Sequence, residues 1–262
     1  MSEFLKQRST APEGFFSAEA AGLEWLAAPG VIPVVAVLDH GEDFVLLERL
    51  ESAVPDAQEG FVFGRRLARL HDAGAPAFGW SPAEPSWFGP LESPFSVTAE
   101  PVVSFSDFWV NQRLRPVAAD IADELTDDEN AAIASAITAV STGVFDGIAG
   151  GDPEPPSRVH GDLWSGNLMW TPDGGTLIDP AAHGGHRLED LALLALFGTP
   201  FLADICAGYE AAHPLPSGWR RDLPVHSFFA LLAHVKLFGH GFLGQTLAAA
   251  REITARAAEL GA

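Results

Sequence analysis

The stretch Val159-His-Gly-Asp-Leu-Trp-Ser-Gly-Asn-Leu-Met-Trp170, followed by Thr176-Leu-Ile-Asp-Pro-Ala-Ala-His-Gly-Gly185, most limits what this chain can become. Gly161 and Gly166 free the backbone on both sides of Asp162, and Asn167-Leu-Met-Trp170 then reads as a short strand. Thr171-Pro-Asp-Gly-Gly175 is a turn, and Thr176-Leu-Ile178 is a second strand that delivers Asp179 at its end. Such a hairpin sets Asn167 beside Asp179. An isolated His-Gly-Asp also fits a plain polar turn; Asn167 and Ile178-Asp179-Pro180 one hairpin later point instead to a site.

Two carboxylates and an amide carbonyl are hard oxygen donors. Magnesium takes such ligands in near-octahedral geometry and keeps several waters, so one carboxylate, one amide and nucleotide phosphates suffice. Asn167 and Asp179 are the candidate metal ligands. Asp162, at the head of the loop, is then placed to accept the proton of a hydroxyl attacking ATP. A carboxylate with an ordinary pKa near ~4 is a weak base. A loose phosphoryl-transfer transition state tolerates that, because positioning and positive charge do most of the work.

Around this segment the chain divides into two regions, 1–50 and 51–262. In the first, Phe16 to Ala28 has the spacing of an amphipathic helix with Phe16, Leu23 and Leu26 inward. Val31 to Leu38 and Phe44 to Leu47 are apolar runs around the turn Asp39 to Asp43. The second region is mainly helical: Ala57 to Ala73, about 104–124 and 128–147, Leu188 to Phe197, Phe201 to Ala211, Val225 to Phe238 and Phe242 to Leu260. Thr126 and Glu129 form a capping box. Residues 74–103 lack periodicity, and a connection that long is often functional. The expected architecture is α+β, a small β-rich lobe on a larger helical one.

The formal net charge of -20 argues against nucleic acid or an anionic membrane surface as partner and suits a neutral or cationic small molecule. A single cysteine, Cys206, excludes internal disulfides. No apolar run is long enough to span a bilayer, and the amino terminus has no apolar signal core, so a cytoplasmic location is expected. The histidines do not form a zinc pattern, and His234 and His240, among Leu and Phe on a helix, read as core residues.

These motifs resemble those of the kinase-like phosphotransferases, and the fuller pattern is similar to the fructosamine kinase (ketosamine 3-kinase) family. The matching pieces are His160 to Asn167, Ile178 to Ala181, Gly185-His186-Arg187 and Asp190-Leu191-Ala192. Leu163-Trp164 is the discriminating pair, since aminoglycoside kinases share the Asp and Asn without it. The resemblance implies a protein-kinase-like two-lobe fold with a reduced β-rich N-lobe, and ATP with Mg2+ as cofactors. It implies Asp162 as catalytic base, Lys6 with Glu19 at the phosphates, and backbone near Glu48 to Leu50 at adenine. His160 then orients the loop, and Asp190 anchors it through backbone hydrogen bonds. Trp164 offers an indole face to a sugar and its amine; His183, His186 and Arg187 are the further substrate contacts expected.

By that alignment the chain starts at the third strand of a kinase-like fold, with no nucleotide-covering loop ahead of Lys6. A misassigned start, a truncation in which another segment covers the phosphates, and loss of activity are the three explanations. Relatives also carry an acid directly after Gly-His-Arg, where this chain has Leu188 and then Glu189. They show Asn or Gln near Ser86-Trp87-Phe88 and Glu92-Ser-Pro94. The implied activity is phosphorylation of a sugar hydroxyl, the 3-hydroxyl in the family, on a free or lysine-linked fructosamine or ribulosamine. Two alternatives stay open: an aminoglycoside or amino-alcohol kinase, and a nucleotide-binding pseudokinase.

Overall fold

The structure, a computed structural model, describes residues 2–262. It opens with strand β1 (Glu3–Gln7), helix α1 (Phe15–Ala27) and strands β2 (Val37–His40) and β3 (Phe44–Glu48), which form one antiparallel sheet in the order β1-β3-β2. Strand periodicity turns Val45 and Leu47 inward, onto Phe16, Ala20 and Leu23 of α1. Gly14, in the left-handed region at φ 79°, caps the start of α1.

The apolar run Val31 to Leu38 is mostly not a strand of this sheet. Pro33 has no N–H to donate, and the chain here docks elsewhere. The Pro33 carbonyl accepts from the Leu177 amide at 3.0 Å, and the Val35 amide donates to the Leu177 carbonyl at 3.0 Å. That clamp fixes the small sheet region to the strand preceding Asp179. Leu26 and Ile32 likewise pack with the helical region, so the apolar cores do not divide cleanly at residue 50.

The larger region begins with α2 (Ala57–Asp72), opened by a capping box between Asp56 and Glu59. Residues 74–103 hold a hairpin, β4 (Ser86–Phe88) and β5 (Phe95–Val97), whose three-residue strands are too short to show alternation in sequence. The helical run after it changes its winding: α3 (Phe105–Phe108), a π-helical stretch over Trp109–Leu114, α4 (Arg115–Ile121) and a short 3-10 turn. Pro116 explains the change, because its ring has no N–H and would clash with an α-helical carbonyl four residues back. Helix α5 (Asp127–Ser141) ends six residues short of 147, at a turn in which Gly143 has φ 81°.

The segment carrying Asp162, Asn167 and Asp179 follows as β6 (Ser157–Val159), β7 (Leu168–Thr171), β8 (Gly174–Leu177) and β9 (His183–Gly185), with β6 paired to β9 and β7 to β8. Helices α6 (Leu188–Phe197), α7 (Leu202–Ala212), α8 (Leu223–Phe238) and α9 (Leu243–Leu260) complete the chain. One apolar cluster joins α3, α5, α8 and α9; a second joins α2, α6 and α7 to Leu168 and Leu177 of the hairpin. Among the described residues, no helix is long and apolar enough to cross a membrane.

Helices α2 and α7 meet through glycines. A Cβ on Gly64 would lie 1.9 Å from the Ile205 carbonyl oxygen, and one on Gly208 would lie 1.9 Å from that of Phe61. Both obstacles are backbone, so neither can step aside. Gly64→Val is therefore expected to push the helices apart and cost about 3 kcal/mol, as overpacking of a tight core does. An unchanged urea midpoint would show that the two helices are not held at this distance.

Candidate active site

A cleft of about 420 Å³ lies between the small sheet and the helical region. Lys6 reaches it from β1, Glu19 from α1, Asp162, Trp164 and Asn167 from the loop between β6 and β7, and Asp179 from the residue pair after β8. The β4–β5 hairpin forms one wall and the end of α8 another. Arg8 donates to the Leu91 carbonyl and so ties that hairpin to the end of β1.

The loop is built from backbone outward. Both oxygens of buried Asp190 accept main-chain amides, that of His160 at 2.9 Å and that of Gly161 at 3.0 Å, and His71 Nε2 lies 3.0 Å away. Burial by itself would raise the Asp190 carboxyl, yet the His71 hydrogen bond and charge hold it below its ordinary value. Gly161 has φ 80°, and a Cβ there would fall 2.2 Å from the Ala181 carbonyl oxygen, so only glycine fits. His160 Nε2 donates to the Ile178 carbonyl at 2.8 Å, while its Nδ1 accepts from the Asp162 amide at 3.2 Å. This pattern fixes one neutral tautomer, and burial lowers the His160 pKa accordingly.

The hairpin brings its two oxygen donors together. Ile178 N–H donates to the Asn167 carbonyl at 3.1 Å. Asn167 Nδ2 donates to the Asp162 carbonyl at 2.8 Å, to Asp162 Oδ2 at 3.0 Å and to the Asp179 carbonyl at 3.3 Å. These bonds leave the Asn167 side-chain carbonyl unengaged. Asp179 has φ 50°, a left-handed conformation uncommon outside glycine and concentrated at functional sites.

Lys6 completes the group. Its Nζ donates to Glu19 Oε2 at 2.9 Å and to Asp179 Oδ1 at 3.2 Å. Burial would lower the Lys6 pKa, but the two carboxylates outweigh it and raise it. Burial raises Glu19 against the pull of Lys6, and Glu19 Oε1 is buried without a partner among the described residues.

Asp162 departs from the ordinary carboxylate expected of it. Burial pushes it up to about 8, helped by the nearby Asp179 and Asp190 charges and opposed by the Asn167 hydrogen bond. A divalent cation at Asn167 and Asp179 would draw it back down. The donor set fits magnesium: one amide carbonyl and one carboxylate face a cleft with room for phosphate and water. Among the described residues, no cluster of three or more His, Cys, Asp or Glu is arranged to hold a metal by itself.

Other expected site residues lie elsewhere. His183, His186 and Arg187 are buried and do not line the cleft, which corrects their assignment as substrate contacts. Antiparallel pairing of β9 with β6 turns this segment inward. His183 bonds the Ala181 carbonyl and Glu189, at 2.8 and 3.0 Å. His186 stacks on His226 at 4.3 Å between ring centroids. Arg187 donates to Glu154 at 2.9 Å, Asp72 at 3.2 Å and the Tyr209 hydroxyl at 3.3 Å. Glu189, which also accepts the His186 amide, is thus committed to holding the segment.

Glu48 and Leu50 lie outside the cleft lining as well. The Glu48 amide donates to Ala36 and the Arg49 amide to Ser2, both at 2.9 Å, so of these three residues only Leu50 keeps its amide out of the sheet. His240 is exposed, and half-buried His234 lines the cleft, so neither is a core histidine. The hairpin residues from Trp87 to Glu92 lie in the long connection marked as functional in the sequence and do line the cleft, whereas Leu237 and Phe238 are cleft residues that the sequence did not single out. The available signal was an apolar end to α8, Lys236-Leu-Phe238, immediately before Gly239.

Known proteins resemble this chain in sequence and fold. A family model described as fructosamine kinase matches residues 2–256. "Probable ketoamine kinase YniA" of Escherichia coli K12 is 32% identical over 244 residues, covering 90% of this chain and 78% of that protein. A solved Thermobifida fusca structure, assigned by name to fructosamine-3-kinase, is 36% identical with a TM-score of 0.85, covering 97% of this chain and 85% of that one. The gentamicin complex of the phosphotransferase APH(2")-IIa, at 13% identity, TM-score 0.60 and coverage of 96% and 84%, shares the protein-kinase-like fold. On the match along nearly its whole length, this chain is a small-molecule kinase belonging to the fructosamine kinase family.

Proposed function

We propose that the protein transfers the γ-phosphoryl group of ATP to a sugar hydroxyl of a ketosamine, a fructosamine or ribulosamine either free or lysine-linked. One observation carries this reading: Asp162, Asn167, Asp179 and Lys6 form a single hydrogen-bonded group on one cleft. Names of relatives that specify ketoamine kinases support the substrate class. Magnesium, held by Asn167 and Asp179, would supply positive charge to the β- and γ-phosphates.

The protein's own groups do the rest. Lys6, oriented by Glu19, neutralises phosphate oxygens. Asp162 accepts a hydrogen bond from the attacking hydroxyl and aligns it. As the sugar oxygen bonds to the γ-phosphorus, the bond to the β,γ-bridging oxygen breaks with its electrons leaving on ADP, and the hydroxyl proton passes to Asp162. Trp164, exposed beside Asp162, supplies a face for the sugar C–H groups. A cytoplasmic location, with ATP at hand, suits this activity.

The test is a transfer assay with ATP and magnesium over fructosamines, ribulosamines and aminoglycosides. Phosphate should appear on ketosamines, not on aminoglycosides, and EDTA should abolish transfer. No transfer to any acceptor, or a preference for aminoglycosides, would overturn the assignment.

A further inference from the structure

Beside Asp162 the cleft opens onto a continuous aromatic surface that phosphoryl transfer itself does not require. Trp164 meets Phe197 edge-on at 6.2 Å between centroids, Phe197 meets His234 at 5.0 Å, and His234 meets Phe238 at 5.3 Å and Phe242 at 4.8 Å. Trp164 and Phe238 line the cleft yet remain 40% and 56% exposed, so their apolar faces are left to water. Soluble proteins seldom leave adjoining large aromatics uncovered without use.

The shelf is held in place and is uncharged. The Trp164 ring lies over Gly166, where a Cβ would sit 2.2 Å from Cη2, so the indole has a fixed seat. His234 Nδ1 donates to the Ala230 carbonyl at 2.7 Å, and burial keeps its ring on the neutral side. Lys236, the nearest cation on the same helix, is engaged by Asp120 at 2.6 Å and lies over Phe95 at 4.0 Å. Gly89 of the hairpin approaches Leu237, its virtual Cβ 3.2 Å from a Leu237 methyl, so the shelf runs on to the opposite wall.

We infer that this shelf of Trp164, Phe197, His234 and Phe238 binds the apolar substituent carried on the nitrogen of the ketosamine, making the enzyme selective for alkyl or aryl amine adducts. The inference rests on the proposed ketosamine reading, which puts the reacting hydroxyl at Asp162. The nitrogen of a ketosamine is only a few bonds from the sugar 3-hydroxyl, so its substituent must leave the reacting centre along the cleft. Trp164, His234 and Phe238 line that cleft, with Phe197 packed against Trp164 and His234. Aromatic or alkyl groups gain there by burial and by ring contact, whereas a bare methylamine adduct reaches little of the surface.

The test compares N-methyl, N-butyl and N-benzyl 1-amino-1-deoxyfructose. Affinity is read by calorimetry without ATP, and kcat and KM are read with ATP and magnesium. The benzyl adduct should bind about tenfold more tightly than the methyl adduct, with the difference in KM rather than kcat. Phe238→Ala, at an exposed position that does not endanger folding, should bring that ratio to within about twofold. Val103→Ala, at a 95% exposed site away from the cleft, should retain the ratio. Equal affinities across the series, or an undiminished ratio in Phe238→Ala, would overturn the shelf. Transfer without size discrimination sinks this inference alone. Size-dependent binding without transfer sinks the kinase reading and leaves the shelf standing.

Discussion

Asp162→Asn is expected to lower kcat by about a thousandfold, in the range that removal of a positioned proton acceptor produces, while KM for ATP changes little. The variant keeps the side chain's shape and can still accept a hydrogen bond from Asn167 Nδ2, 3.0 Å away in the native cleft. What it loses is the capacity to take the hydroxyl proton and the negative charge that aligns the donor. Stability should not fall with activity. Burial disfavours the Asp162 carboxylate and pushes it up to about 8, so without bound metal the group is mostly neutral near pH 7 and a neutral amide there changes the folding balance little. Transfer kinetics and thermal unfolding check the two halves separately. A kcat within tenfold of the native enzyme would remove Asp162 from the proposed mechanism; a large drop in melting temperature would mean that the carboxylate is holding the loop.

Asp190→Ala should do the opposite, losing about 3–5 kcal/mol of stability and activity with it. Asp190 never reaches the cleft lining, yet it fixes the amides of His160 and Gly161 and is itself bonded to His71. Truncation leaves two buried main-chain donors and the His71 Nε2 without their partner, although His71 Nδ1 keeps the Tyr209 hydroxyl. Asp162 follows Gly161 directly, so a loosened amide pair moves the proton acceptor relative to the hairpin that carries Asp179. Urea unfolding followed by assay below the midpoint distinguishes global loss from local disorder. An unchanged midpoint together with native kcat would show that the loop is anchored by His160 and the glycine geometry alone.

The hairpin that carries Asn167 and Asp179 was legible before any coordinates because its determinants are local. Asn167 and Asp179 are 12 residues apart, joined by a turn whose glycines and proline dictate the reversal. The capping box at Thr126 likewise needs only four consecutive residues. Short strands fared worse: β4 and β5 span three residues each, too few for alternation to stand out, and the run from Val31 was divided between two sheets by Pro33.

Direction of side chains was the harder question. His183, His186 and Arg187 follow Asp179 so closely that a site reading was natural. Pairing of β9 with β6 turns them toward Glu189, His226 and Tyr209 instead. Sequence position says which residues are near in the chain, whereas the side a residue faces depends on which strand pairs with its own.

From the order of residues alone came the oxygen donors, the glycines that let them approach one another, and the helical body behind them, since these follow from backbone rules acting over a few positions. Packing alone decided that Lys6 reaches Asp179 across 173 residues, that Asp162 is desolvated, and that an aromatic face borders the cleft. Charge and solvation are set by whatever atoms close around a group, and those atoms come from distant parts of the chain that meet only when it folds.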